Sequence, residues 1–174
     1  KSVLRITDIL DKTQSYLSPE EQELIEKAYI FSASVHQGQV RLSGEPYLTH
    51  PVEVAGILAD MKLDAATVVT GLLHDTVEDT LATLEQIRVA FGKEIEFLVE
   101  GLTKISRLTY GSKVEHQAEN FRKMILAMSS DIRILLVRLA DRVHNMRTLE
   151  FQTEEKQRYI AEETLELYAP LANR

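Results

Sequence analysis

Apolar positions in this chain recur at intervals of three and four over most of its length, and no stretch alternates apolar and polar residues as a half-buried strand would. That spacing predicts amphipathic helices sharing one core. A first helix is predicted from about Val3 to Leu17. Ser18-Pro19-Glu20-Glu21 then supplies an N-cap, a proline at the first helical position and a capping-box glutamate, opening a second helix to about His36. Two glycines and a proline between Gln37 and Thr49 break the periodicity and predict a loop. His50-Pro51 opens the next helix, with Val52, Ala55, Leu58 and Ala59 as its apolar side. A fourth, from about Asp64, carries Val68, Val69, Leu72 and Leu73 and is expected to run on through His74-Asp75-Thr76-Val77-Glu78-Asp79-Thr80. Helices are also predicted at Thr83 to Phe91, Gly92 to about Lys104, Glu115 to Met128, Ile132 to about Leu149 and Thr153 to Tyr168, with a mobile connection at 105–114.

Two of these helices carry groups that a core does not need. On a continuous helix His74 lies beside Glu78 and Asp75 beside Asp79, so two rows of ligand-type side chains run together. Three carboxylates this close repel one another, and a divalent cation between them relieves the repulsion. In the helix from Ile132, one stripe is formed by Ile132, Leu135, Leu136, Leu139, Val143 and Met146 and another by Ile134, Val137 and Ala140, which predicts a central position. Asp141 lies one turn beyond Val137 on that second stripe, where an unpaired carboxylate costs several kcal/mol. Asn145 and Thr148 continue its row. Plainer readings stand beside these. His50 alone fits a helix cap or a hydrogen-bonded core histidine, and Asp141 fits an ion pair with Arg138 or Arg142. Arg41, Lys104, Arg107 and Lys113 fit solvated charges, the last three alternatively a lid over phosphates, and Glu150 to Glu166 reads as a solvated helix face.

Composition narrows the function classes. At 174 residues, with 44% hydrophobic and 27% charged, the chain fits one globular domain with a sizeable core. It has no cysteine, which removes disulfides, zinc-thiolate sites and cysteine nucleophiles and is compatible with the reducing cytoplasm. No apolar run approaches the roughly 18 residues of a membrane span. A net charge of −7 argues against a general nucleic-acid surface, while a metal and a few arginines remain able to hold a compact phosphorylated molecule.

The order His50, His74-Asp75, Asp141 is that of the HD superfamily of metal-dependent phosphohydrolases. Longer stretches carry a closer likeness: His36 to Pro51, His74-Asp-Thr-Val-Glu-Asp-Thr80 and Arg138-Leu-Ala-Asp-Arg-Val-His-Asn-Met-Arg-Thr-Leu149 resemble the hydrolase domain of RelA/SpoT homologues, the enzymes of the alarmone (p)ppGpp. This resemblance implies an all-α HD-domain bundle of about eight to ten helices. It implies Mn²⁺ held by His50, His74, Asp75 and Asp141, with Glu78 and Asp79 as the catalytic pair acting on water. The implied reaction is hydrolysis of the 3′-pyrophosphate of ppGpp or pppGpp to GDP or GTP and pyrophosphate. The resemblance further places Arg41 against guanine, with Ser43, Asn145, Arg147 and Thr148 as substrate contacts.

One departure is visible. Family members commonly have Arg-Lys-Ser-Gly where this chain has Arg41-Leu42-Ser43-Gly44, so a base is missing that would help hold guanine or phosphate. Tyr168 to Arg174 resembles the segment leading into a synthetase domain, so synthetase and regulatory domains are expected to lie outside this chain. Two alternatives stay open at this point: an HD phosphohydrolase for another nucleotide, and a regulatory module that binds a nucleotide without cleaving it.

Overall fold

The computed structural model describes residues 3–42, 44, 46–110 and 117–165. Among them helices carry the architecture and no strand forms; the only extended pairing described is a β-bridge between Val40 and Pro46 inside the predicted loop. In chain order the helices are α1 (Ile6–Thr13), α2 (Pro19–Val35), α3 (Thr49–Asp60), α4 (Ala65–Leu73), α5 (Thr76–Asp79), α6 (Leu84–Phe91), α7 (Lys93–Tyr110), α8 (Gln117–Ser129), α9 (Ile132–Arg147) and α10 (Glu154–Glu163), with a 3-10 turn at Leu149–Phe151 before α10.

Local chemistry sets most of the starts. Ser18 accepts from the Glu21 amide while Glu21 reaches back to the Ser18 amide, the capping box expected for α2. Asp64, Thr83, Asp131 and Thr153 cap α4, α6, α9 and α10 in the same way, each accepting a backbone N–H of the first turn. Asp64 has a second role, because Arg133 bridges it at 3.1 Å to Asp131 at 2.7 Å and Glu94 at 2.5 Å, joining the starts of α4, α7 and α9.

The core lies between α2, α3, α4, α7 and α9. Ile25 and Ala28, Val54, Ala55 and Leu58, Val68, Val69, Leu72 and Leu73, and Leu98, Val99 and Ile105 are its buried centre. α3 and α4 approach so closely that a Cβ on Gly71 would stand 2.7 Å from Leu58 Cδ1 and 3.4 Å from Ala55 Cα. A glycine here lets two helices that both lead into the site press together.

Three expectations change. α7 runs on to Tyr110, through part of the predicted connection, because Leu98, Leu102 and Ile105 extend one buried stripe at spacings of four and three. Residues 111–116 and the segment from Tyr168 lie outside the described residues. The fourth helix does not continue through the acidic run: it ends at Leu73, and Asp75, at φ −114° and ψ 7°, opens the separate single turn α5. Side chains take over the carbonyls there, Thr76 Oγ1 donating to Leu73 O at 2.8 Å and His74 Nδ1 lying 2.7 Å from Gly71 O. In α9 the shorter stripe, with Ile134, Val137, Ala140 and Asp141, is the buried one, whereas Ile132, Val143 and Met146 of the longer stripe are exposed. Among the described residues no helix is long and apolar enough to cross a membrane.

Leu72 has no exposed surface and Leu81 is 98% exposed, which makes them a matched test of this core. Leu72→Ala is expected to cost about 2–5 kcal/mol and Leu81→Ala less than about 0.5 kcal/mol in chemical denaturation monitored by circular dichroism.

Candidate metal centre

The first turn of α3, the end of α4 and the middle of α9 meet at one point, and each delivers a ligand-type side chain to it. His50, His74 and Asp141 are all buried, and one ligand atom from each lies within 4.8 Å of the others. Asp141 divides its carboxylate. Oδ2 accepts from Arg138 Nη1 at 3.0 Å, while Oδ1 faces His50 Nε2 at 2.7 Å and His74 Nε2 at 3.2 Å. The ion-pair reading of Asp141 thus holds at Oδ2, which leaves Oδ1 directed at the two histidines. Arg142 turns away to Glu163.

The donor set fits a divalent cation. His74 Nδ1 is committed to the Gly71 carbonyl, which leaves Nε2, 3.2 Å from Asp141 Oδ1, as the ring nitrogen available to a cation, an arrangement typical of metal-bound histidine. Asp75 stands beside the group, its Oδ2 3.7 Å from His74 Nε2, although it falls outside the tight trio. Its Oδ1 is buried without a hydrogen bond, 3.6 Å from an equally unpartnered His36 Nε2. Imidazole nitrogens and carboxylate oxygens with lone pairs to spare are ligands for first-row divalent ions. Without a cation, protons would do its work. Burial lowers the affinity of His74 for a proton, but the charges of Asp75 and Asp141 outweigh it and push its pKa up to about 10. Burial likewise opposes ionisation of Asp141 and Asp75, yet hydrogen bonds from His50 and His74 hold Asp141 well below the usual carboxylate range, and the charge of His74 holds Asp75 below it.

Glu78 and Asp79 are exposed at the mouth of a cleft of about 710 Å³ whose floor is His50, His74, Asp75 and Asp141. Because α5 is a separate turn, they do not simply stack under the ligands as a continuous helix would place them. Tyr47 makes the connection instead. Its hydroxyl lies 3.0 Å from Asp75 Oδ2 and closer still to Asp79 Oδ2, and its ring stacks on His36 with centroids 4.6 Å apart. Burial and the charge of Asp75 keep that hydroxyl protonated. Both carboxyls of the pair are shifted upward, Glu78 by burial and by the charge of Asp79, Asp79 by burial in spite of its bond from Tyr47.

Of the expected substrate contacts, Arg41 and Asn145 line the cleft. Arg41 Nη2 is 3.5 Å from Thr148 Oγ1, which brings Thr148 to the site through the arginine. Arg147 is exposed and does not line the cleft, and Ser43 lies outside the described residues. Leu42, 71% exposed, is on the rim where a base would have stood. The 150–166 stretch is more than a solvated face, because Gln152, Lys156 and Ile160, spaced by four, turn one side to the cleft. His36, Tyr47 and His144 were assigned no role by spacing arguments. The signal available was that four of the chain's five histidines stand in or beside the three motif blocks.

The model of the family described as "HD domain" matches residues 28–174. The chain is 61% identical over 166 residues to a "GTP pyrophosphokinase" of Myxococcus xanthus, covering 93% of this chain and 22% of that protein. It is 53% identical over 161 residues to the "Bifunctional (p)ppGpp synthase/hydrolase SpoT" of Escherichia coli K12, covering 92% of this chain and 23% of that one. It therefore spans less than a quarter of the length of these relatives. A solved structure described as "A metazoan ortholog of SpoT hydrolyzes ppGpp and plays a role in starvation responses" superposes with a TM-score of 0.62 at 27% identity, over 84% of each chain.

The raised pKa of His74 gives a direct test. Below about pH 10 the free site holds this proton, so a divalent ion must displace it. Calorimetry at pH 8 in two buffers of different ionisation enthalpy is expected to read about one proton released per ion, and affinity is expected to rise about tenfold per pH unit from pH 7 to 9.

Proposed function

We propose that this chain, which belongs to the HD-domain family, is the hydrolase domain of a longer RelA/SpoT-type protein and removes the 3′-pyrophosphate of ppGpp or pppGpp with the help of a divalent cation. The observation that carries this reading is the buried His50–His74–Asp141 group on the floor of a cleft whose mouth holds Glu78 and Asp79. At about 710 Å³ the cleft has the volume of a site for a molecule the size of a nucleotide. The likeness to hydrolases whose names specify this substrate selects it from other phosphorylated nucleosides.

His50, His74 and Asp141 would hold the cation, with Asp75 as the fourth ligand that the family resemblance implies; the same resemblance selects Mn²⁺. When bound, such an ion supplies Lewis acidity to the phosphoryl oxygens and lowers the pKa of water. The protein's own groups do the rest. Arg41, held beside Thr148, offers a planar guanidinium on which a purine stacks, and Asn145 adds hydrogen-bonding groups next to it. Water adds to the phosphorus on the ribose 3′ oxygen, the P–O3′ bond breaks, pyrophosphate departs and the 3′ oxygen takes up a proton. Glu78 and Asp79 form the pair that accepts the water proton and orients its oxygen. Their upward-shifted pKa values suit groups that take a proton near neutrality more than ordinary surface carboxylates do. Tyr47 holds Asp79 in register with Asp75, so that proton acceptor and ligand are fixed to one another.

Purified protein given ppGpp and Mn²⁺ is expected to release pyrophosphate and GDP, with activity lost on EDTA treatment and restored by Mn²⁺. Folded, metal-loaded protein that releases none would refute the assignment and favour a nucleotide-binding module. Two variants separate ligand from catalyst: Asp75→Ala is expected to lose the metal, and Glu78→Gln to keep Mn²⁺ while turnover falls about 10²–10⁴-fold. Metal content by atomic emission and turnover by pyrophosphate release read the two effects apart.

A further inference from the structure

The structure assigns His144 as the positioning residue that fixes the tautomer of His50 and ties it to Arg41. This inference rests on the metal reading of the centre. His144 Nδ1 stands 2.6 Å from His50 Nδ1 and 3.2 Å from Arg41 Nη1. A guanidinium only donates hydrogen bonds, so the nitrogen that faces it must be the lone-pair nitrogen of a neutral imidazole. The same lone pair then faces His50 Nδ1, and two acceptors cannot stand 2.6 Å apart; His50 Nδ1 therefore carries a hydrogen and donates. With Nδ1 so committed, Nε2, 2.7 Å from Asp141 Oδ1, is the ring nitrogen left to serve a cation; with no cation between them it donates its hydrogen to that oxygen.

His74 has its Nδ1 committed by another route, to the Gly71 carbonyl. Both rings thus present Nε2, one fixed by a backbone carbonyl and the other by a second histidine. A carbonyl is always an acceptor. An imidazole is one only at a ring nitrogen that bears no hydrogen, and the Arg41 guanidinium facing Nδ1 selects that nitrogen. The arginine expected against the substrate base and the histidine expected on the metal are consequently joined through one shared nitrogen, and His144 does this from behind the residues that line the cleft.

Asparagine and leucine have nearly the same shape, and at position 144 asparagine puts Oδ1 close to where Nδ1 stands, whereas leucine puts a methyl there. His144→Leu is expected to bind Mn²⁺ about 10–100-fold more weakly than the unchanged protein in calorimetry, the range for loss of a partner that orients a metal ligand. His144→Asn is expected to restore affinity to within about threefold, since a carbonyl oxygen accepts from both His50 and Arg41. Thermal unfolding monitored by circular dichroism establishes that each variant is folded at the temperature of the titration. Equal affinity in the leucine variant and the unchanged protein would overturn the role of His144, as would an asparagine variant as weak as the leucine one. Absence of Mn²⁺ binding by the unchanged protein would instead overturn the metal reading, and this inference with it.

Discussion

A carboxylate is buried on the central face of α9, and the surrounding structure is arranged to keep it charged. Asp141 follows Ile134, Val137 and Ala140 on the face that packs into the core, where an unpaired anion costs several kcal/mol. Its two oxygens are answered separately, Oδ2 by Arg138 from the preceding turn and Oδ1 by histidines from α3 and α4. Those histidines arrive only because α3 and α4 enter the site side by side, pressed together at Ala55 and Gly71. Core packing and site geometry are therefore one constraint: a shift between α3 and α4 large enough to admit a side chain at Gly71 would also separate His50 from His74.

The same constraint explains why the acidic run cannot remain in α4. A continuous helix would carry Glu78 and Asp79 on along its axis beyond Asp75. Ending α4 at Leu73 and restarting at Thr76 lets His74 and Asp75 face inward while Glu78 and Asp79 stand at the cleft mouth. The break is inexpensive, because the carbonyls of Gly71 and Leu73 find their partners in His74 and Thr76. Sequence spacing identified these four residues as a group but took them to be stacked, since helical periodicity contains no term for side chains that replace backbone donors.

What was legible in the sequence was what local chemistry encodes. The capping box at Ser18, the proline at the head of α2 and the glycines after His36 mark boundaries through interactions between neighbours. The buried stripe of α9 with its intruding Asp141 was legible for the same reason. The end of α7 was not: Ile105 is held by packing against the core, and neighbouring polar residues and a glycine concealed it. Tyr47, His36 and His144 were invisible as site residues because each acts on a group far away in sequence, Tyr47 on Asp75 and Asp79, His144 on His50 across 94 positions. Residue type named candidate ligands; only tertiary contacts distinguish a ligand from the group that orients it.

An acidic chain proposed to bind a polyanion looks contradictory until charge is counted locally. The net charge of −7 is a property of the whole surface, and much of it lies on outward-facing helix residues such as those of α10. At the cleft, Arg41, Arg138 and Lys156 are cationic, and a divalent ion would add two further charges at the floor. The carboxylates of the floor would not cancel this, because they would be bound up in holding the ion, and their charges already raise the proton affinity of His74 at that point. Metal and substrate would thereby be linked electrostatically: an acidic floor that by itself repels phosphate would become part of a phosphate site with a cation seated on it. Binding of the ion to the native site alone would also stabilise the fold by mass action, since an unfolded chain brings no such group of ligands together.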